Sequence, residues 1–265
     1  MSLSIENYGI ISELGKGVYG KVYRAINKIT GETVAIKVIP IKRYNKYVRR
    51  EVAILKKMTK SMACNNIIKM RSAFADKSNI YIVMDFASGH SLEKKIIPKE
   101  LWIHYAKKLI EAVKCIHNAG VAHNDIKLDN IVAEPFLQFK LVDFGFACMT
   151  NSDGDVSIEN QCTFVVGTPA YISPEKLFGG KMTSTIAISS DVWAVGVVLF
   201  YLAYGRYPFN YKDVDIMYAH IKIDEPEFPA SSPEIYRKII LPLLNKNVEQ
   251  RMKFWNSLDI DIISI

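Results

Sequence analysis

Hydrophobic periodicity changes partway along this 265-residue chain, and that change limits the folds open to it. In YGIISEL (8–14), GKVYRAIN (20–27) and TVAIKVIP (33–40), β-branched and aromatic residues alternate roughly with others, the spacing of strands. The link KITGE, with Gly31, predicts a hairpin. A helix is expected in KYVRREVAILKKM, where Val48, Val52 and Leu55 recur at i, i+4 and i+7. Strands return at IIKMRSAF and NIYIVMDF. After Ser88-Gly89-His90 the pattern turns mostly helical, beginning with ELWIHYAKKLIEAVKCIHNAG, which Gly120 closes. Short strands flank EPFLQ, and helices are expected from Ser190 on. A strand-rich front and a helix-rich back predict an α+β chain of two lobes.

The apolar run VWAVGVVLFYLAY (192–204) is shorter than a bilayer requires and reads as a helix inside a large core. The N-terminus, MSLSIENYGI, lacks the basic and apolar regions of a signal peptide. Lys and Arg number 34 against 27 Asp and Glu, an excess that favours an acidic ligand without any nucleic-acid motif beside it. Cys64, Cys115, Cys148 and Cys162 form no CxxC pair. That spacing suggests neither a zinc site nor a disulfide framework and points to a reducing compartment, the cytoplasm or nucleus.

Several stretches carry chemistry. GKGVYG (15–20) has the GxGxxG form but lies between two strands, whereas a dinucleotide-binding fingerprint must open a helix. A glycine-rich hairpin can instead offer backbone N–H groups to phosphates, with no side chains in the way. Lys37 sits in VAIKVIP, and strand alternation puts it on the face of Ala35 and Ile39. Glu51 falls at i+3 from Val48, inside the apolar stripe of its helix. Each charge is costly there alone; pairing them removes both costs and leaves an ammonium aimed at an anion. Two charges lifting their heads to water is the alternative. In KLVDFGFA, Asp143 ends a short strand, a place suited to a hard cation such as Mg²⁺ or to a plain turn. HNDIKLDN (123–130) brings Asp125, Lys127 and Asn130 together, either in one site or in a solvated turn.

Taken in order, GKGVYG with Val22, VAIK, Glu51, HNDIKLDN, DFG and SPE strongly resemble the signature set of the eukaryotic protein kinase family, from about Tyr8 to Trp255. The resemblance implies a single bilobal kinase domain over 1–265. Its N-lobe would take about 1–84, its hinge about 85–89 and its C-lobe about 90–265. It implies that Gly15, Gly17 and Gly20 cover the ATP phosphates and that Val22 and Ala35 pack on adenine. Met84 would be the gatekeeper, with Asp85 and Ala87 in the hinge. Lys37 would hold the α- and β-phosphates and pair with Glu51. Asp125 would accept the substrate proton, Lys127 would steady the γ-phosphate, and Asn130 and Asp143 would hold Mg²⁺. It further implies that Glu175 pairs with Arg251 and that Asp191 anchors the foot of an apolar spine linking the lobes; Asp191 also interrupts an otherwise apolar helix, so a buried partner is expected for it on physical grounds.

Lys127 and GTPAYISPE (167–175) are of the serine/threonine form, and a short chain without the insert of proline-directed kinases resembles most the calcium/calmodulin-kinase-like or related groups. The expectation is a monomeric serine/threonine kinase acting on protein substrates with ATP and Mg²⁺, and with no nucleic-acid or membrane partner. A pseudokinase scaffold is the alternative. Two positions depart from the family pattern: Asn124 stands where arginine is usual, and Ser173 where alanine is. In relatives switched by loop phosphorylation, three basic groups gather round the phosphate. Those places hold Asn124, Tyr47 and Cys148 here, so the resemblance implies activity without a phosphate on Thr163, Ser157 or Ser152.

Overall fold

The computed structural model describes residues 3–17, 19–60, 64–93, 97–150, 168–179 and 182–259. Thr163, Ser157, Ser152 and Cys162 lie outside the described residues. Contacts divide the chain into two units, Met1–His90 with Val132–Gly145, and Ser91–Ile131 with Phe146–Ile265.

In the first unit, strands β1 (Tyr8–Lys16), β2 (Lys21–Asn27), β3 (Thr33–Pro40), β4 (Met70–Ala75) and β5 (Asn79–Asp85) form an antiparallel sheet of order β1-β2-β3-β5-β4. The first three are hairpin-linked, and Gly31 takes the left-handed φ of 76° that its turn needs. One face buries Tyr8, Ala25, Val34, Ile36, Tyr81 and Val83. Helix α1 (Lys46–Lys60) buries Val48 and Leu55 of the predicted stripe, with Arg50, Glu51, Ile54 and Met58 beside them, while Val52 is only half-buried. The hairpin expected around EPFLQ is β7 (Ile131–Glu134) with β8 (Gln138–Leu141). It turns on Phe136 and Leu137, both left-handed. Leu141 N–H donates to Asn66 O at 2.8 Å and Leu141 O accepts from Ile68 N–H at 3.1 Å, so the end of β8 is stitched to the segment before β4.

The second unit is built on α4 (Ser184–Tyr204), with α2 (Lys99–Asn118), α6 (Glu234–Leu243) and α7 (Val248–Ser257) packed on it. The Trp102 indole N–H crosses from α2 to Leu199 O at 2.9 Å. α4 begins well before Ser190, because Thr183 caps it by accepting from Ile186 N–H. At 21 residues it is long and apolar enough to cross a membrane by length and composition, correcting the shorter apolar run read from the sequence. Its most apolar window is 78% buried inside the protein, the situation of a core helix. Short helix α3 (Pro174–Leu177), α5 (Val214–Ile223) and the two-residue strands β6 (Val121–Ala122) and β9 (Cys148–Met149) complete the unit.

One expectation fails. Cys64, Cys115 and Cys148 are disulfide-bonded, although their spacing suggested no framework. Pairing depends on which cysteines the fold brings together, and scattered spacing carries no record of that.

Candidate active site

The first unit brings together three charged residues from distant parts of the chain. Lys37 Nζ on β3 lies 2.5 Å from Glu51 Oε1 on α1 and 3.2 Å from Asp143 Oδ1 just after β8. β3 is the middle strand of the sheet, so Lys37 is only 4% exposed and Glu51 1%. Burial opposes the Lys37 charge, but Glu51 and Asp143 overcome it and hold its pKa above the ordinary lysine value. Burial by itself pushes the Glu51 carboxyl up. The 2.5 Å contact favours the ionised pair, and the lysine sets the direction. Asp143 is left-handed at φ 58° and keeps a side chain 40% exposed. Its Oδ1 also accepts from Gly145 N–H at 3.2 Å.

The glycine-rich turn between β1 and β2 separates structural from spare glycines. A Cβ on Gly20 would sit 2.1 Å from Val38 O, so the fold itself demands glycine there. A Cβ on Gly15 would meet nothing within 4 Å, and one on Gly17 only Gly20 O at 3.8 Å. The fold leaves space at these two positions, as a loop covering a ligand requires. Val22 pairs with Lys37 across β2 and β3, and Ala35 pairs with Met84 across β3 and β5. Met84 is 9% exposed and Ala35 8%. Asp85 accepts from Arg71 Nε at 2.7 Å, and Ala87 follows it outside the sheet.

In the second unit, Asp125 Oδ2 receives Lys127 Nζ at 2.9 Å and Asn130 Nδ2 at 2.9 Å; Asn130 Nδ2 also donates to Asp125 O at 2.8 Å. This settles HNDIKLDN as a built cluster, with Asp125 6% and Asn130 7% exposed. The loop is held from behind by Asp191 on α4. Its Oδ2 accepts from His123 N–H at 2.7 Å and its Oδ1 from Asn124 N–H at 2.7 Å. His117 Nε2 is 3.0 Å from the same carboxylate. Burial alone would raise the Asp191 pKa, but His117 and the backbone donors keep it below the usual carboxylate range. These are the partners that a charge inside an apolar helix must find. Asn124 has φ 61°, a conformation that asparagine tolerates better than most side chains.

Glu175 on α3 pairs with Arg251 on α7, a residue of zero exposure whose Nε donates to Ser189 O at 3.2 Å. Ser173 is also fully buried, its hydroxyl 2.9 Å from that of Ser190. Lys176 was not among the expected site residues. Its Nζ donates to Asn124 Oδ1 at 3.2 Å. The available signal was a lysine directly after SPE, on a four-residue helix.

The oxygen donors suit a hard cation. Asn130 commits its amide nitrogen to Asp125, which leaves its carbonyl oxygen as the ligand atom, and Asp143 offers a carboxylate. Among the described residues no three His, Cys, Asp or Glu side chains gather as a metal cage. Mg²⁺ commonly relies on one or two protein oxygens plus phosphates, so Asn130 in the second unit and Asp143 in the first each offer, taken by themselves, a donor of the kind it uses.

The comparisons with known proteins agree with this geometry. The model of the protein kinase domain matches residues 8–261. CBL-interacting protein kinase 30 of Oryza sativa subsp. japonica is 32% identical over 257 residues, covering 93% of this chain and 52% of that protein. CBL-interacting serine/threonine-protein kinase 14 of Arabidopsis thaliana is 31% identical over 260 residues, with 92% and 55% covered. Serine/threonine-protein kinase plk-2 of Caenorhabditis elegans is 32% identical over 241 residues, with 88% and 36% covered. The chain thus spans about half the length, or less, of these relatives. With the kinase-domain model matched over nearly its whole length, the chain belongs to the protein kinase family.

Proposed function

We propose that the protein is an ATP-dependent serine/threonine protein kinase that transfers the γ-phosphoryl group to hydroxyls of protein substrates. The observation that carries this reading is the Asp125–Lys127–Asn130 cluster, an assembled set of base, cation and amide on one short loop. Oδ2 of Asp125 is occupied by Lys127 and Asn130, so Oδ1 is the atom that accepts the proton of the acceptor hydroxyl. Lys127 neutralises charge on the group in transfer. Lys37, kept cationic by Glu51 and Asp143, holds the α- and β-phosphates. Gly15 and Gly17 allow the backbone to close over the phosphates, and Met84, Ala35 and Val22 form an apolar seat for adenine. Mg²⁺ bound through Asn130 and Asp143 would supply neutralisation of the phosphate oxygens. Catalysis of this kind is positioning plus electrostatics, and the residues supply both.

The reading includes activity without activation-loop phosphorylation. Asn124 and Cys148 are engaged with each other, Asn124 Nδ2 donating to Cys148 Sγ at 3.2 Å, and neither is a cation. Tyr47 stacks on Tyr19 at 6.2 Å. Lys46 lies 5.3 Å over the Tyr47 ring and Arg49 5.8 Å over that of Tyr44, so both nearby cations are engaged.

A degenerate peptide library with radiolabelled ATP and Mg²⁺ tests the activity; labelled serine and threonine peptides are expected. Nucleotide binding with no transfer to any peptide would overturn it in favour of a scaffold. Phosphatase treatment, with the unphosphorylated loop verified by mass spectrometry, tests the second part. A tenfold fall in kcat/KM that rephosphorylation restores would refute it.

A further inference from the structure

The residue departures in the second unit are not scattered. Asn124 lines one small cavity with Asp125, Thr168, Lys176, Ser190 and Asp191, and Ser173, the other departure, is bonded to Ser190 beside it. Among the described residues the cavity holds about 20 Å³, the room of roughly one water and less than a phosphate group fills. Lys176, the one cation among its described lining residues, faces three carboxylates, Asp191, Glu175 and Asp125, a surrounding that would repel an added anion.

The Asn124 side chain is clamped at both ends. Its amide nitrogen donates to Cys148 Sγ at 3.2 Å, and its carbonyl oxygen receives Lys176 Nζ at 3.2 Å. A flipped amide would set its N–H₂ against the ammonium, so the lysine fixes the amide orientation. The Asn124 N–H is held by Asp191 at 2.7 Å with the backbone left-handed. The next peptide leads directly to Asp125.

We propose that Lys176 is a positioning residue for the phosphoryl-transfer loop, acting through Asn124 to fix the peptide that aims Asp125. The ammonium also balances the negative charge gathered behind the loop, a task for which the chain itself carries the cation. This rests on the kinase reading and gives its loop-independent activity a structural cause. Burial draws the Lys176 pKa below the ordinary value, while Asp191, Glu175 and Asp125 pull it back, as expected for a lysine enclosed among carboxylates.

The test is a cycle of Lys176→Met, Asn124→Ala and the double variant, in the whole chain. Each single variant is expected to lower kcat about tenfold, with KM for ATP within twofold of wild type. The double variant is expected to be no slower than the slower single one, because both act on one peptide. A purely structural lysine would lower thermal stability and leave kcat of the folded fraction unchanged. Amide hydrogen exchange gives a readout independent of turnover. Residues 123–125 are expected to exchange faster in Lys176→Met, with little change in α6 and α7. Should Lys176→Met not fold, Lys176→Gln, which keeps a donor but not the charge, takes its place. Wild-type kcat in the single variants, multiplying effects in the double one, or unaltered exchange at 123–125 would each overturn the proposal. A wild-type protein that transfers no phosphate would refute the kinase reading alone, since exchange would still decide the role of Lys176.

Discussion

Lys37 and Glu51, fourteen residues apart in sequence, meet at 2.5 Å with both side chains almost wholly out of water. Glu51 Oε2 has no hydrogen-bond partner among the described residues, so the pair is not fully satisfied by itself. Such an arrangement serves a reaction better than it serves stability. Buried pairs gain little over apolar packing, yet leave a fixed charge where one is needed. Lys37→Met and Asp143→Asn are each expected to lower kcat/KM by about 10²–10³. Peptide phosphorylation at saturating and limiting ATP measures it, and wild-type turnover in either variant would remove these residues from the site.

The glycine turn offers a split between folding and binding. Gly20→Ala would push a methyl into Val38 O, whereas Gly17→Ala makes only an ordinary contact with Gly20 O. Gly20→Ala is therefore expected to lower Tm by more than about 4 °C, the equivalent of at least about 1–2 kcal/mol. Gly17→Ala should melt within about 2 °C of wild type and raise KM for ATP about threefold or more. Differential scanning fluorimetry beside ATP titrations checks both; equal melting of the two variants would contradict the geometry.

Arg251 has no exposed surface and is held by Glu175 and the Ser189 and Asn245 carbonyls. Arg251→Ala leaves Glu175 without its cation, and breaking such a pair costs about 3–5 kcal/mol. Urea unfolding should show that loss. A change below about 1 kcal/mol would mean that water or another group compensates.

Lys246 gives a prediction in pH. Its ammonium lies 4.1 Å over the Phe209 ring and 4.7 Å over that of Trp193, with no hydrogen-bond partner among the described residues. Burial brings its pKa down to about 8, against the pull of Glu225 and Asp224. A lysine with a lowered folded pKa binds fewer protons folded than unfolded between about pH 8 and 10.5. Its contribution to stability therefore rises with pH through that window. Lys246→Met should raise Tm by a few degrees at pH 7 and flatten the slope between about pH 8 and 10, relative to wild type. An identical slope in the variant would show that the ammonium keeps its ordinary pKa.

The sequence by itself determined the five strands of the first sheet, α1, α2 and the residues able to do the chemistry. Period-two and period-3.6 burial are local properties, and a carboxylate or ammonium inside such a pattern announces that it needs a partner. Glu51 in its apolar stripe and Asp191 in its apolar helix were legible for that reason. Tertiary structure alone decided who the partners are. Asp143 reaches Lys37, 106 residues earlier, because β8 is stitched to the Asn66–Ile68 segment and not because of anything near DFG. The Lys176–Asn124 contact likewise joins positions with no shared periodicity. The start of α4 at Ser184 was hidden because Thr, Ser and Ile precede the apolar run, and only the Thr183 cap and burial of that first turn turn them into helix. Periodicity records which side of an element is buried; which two elements bury against each other is settled by packing the whole chain at once.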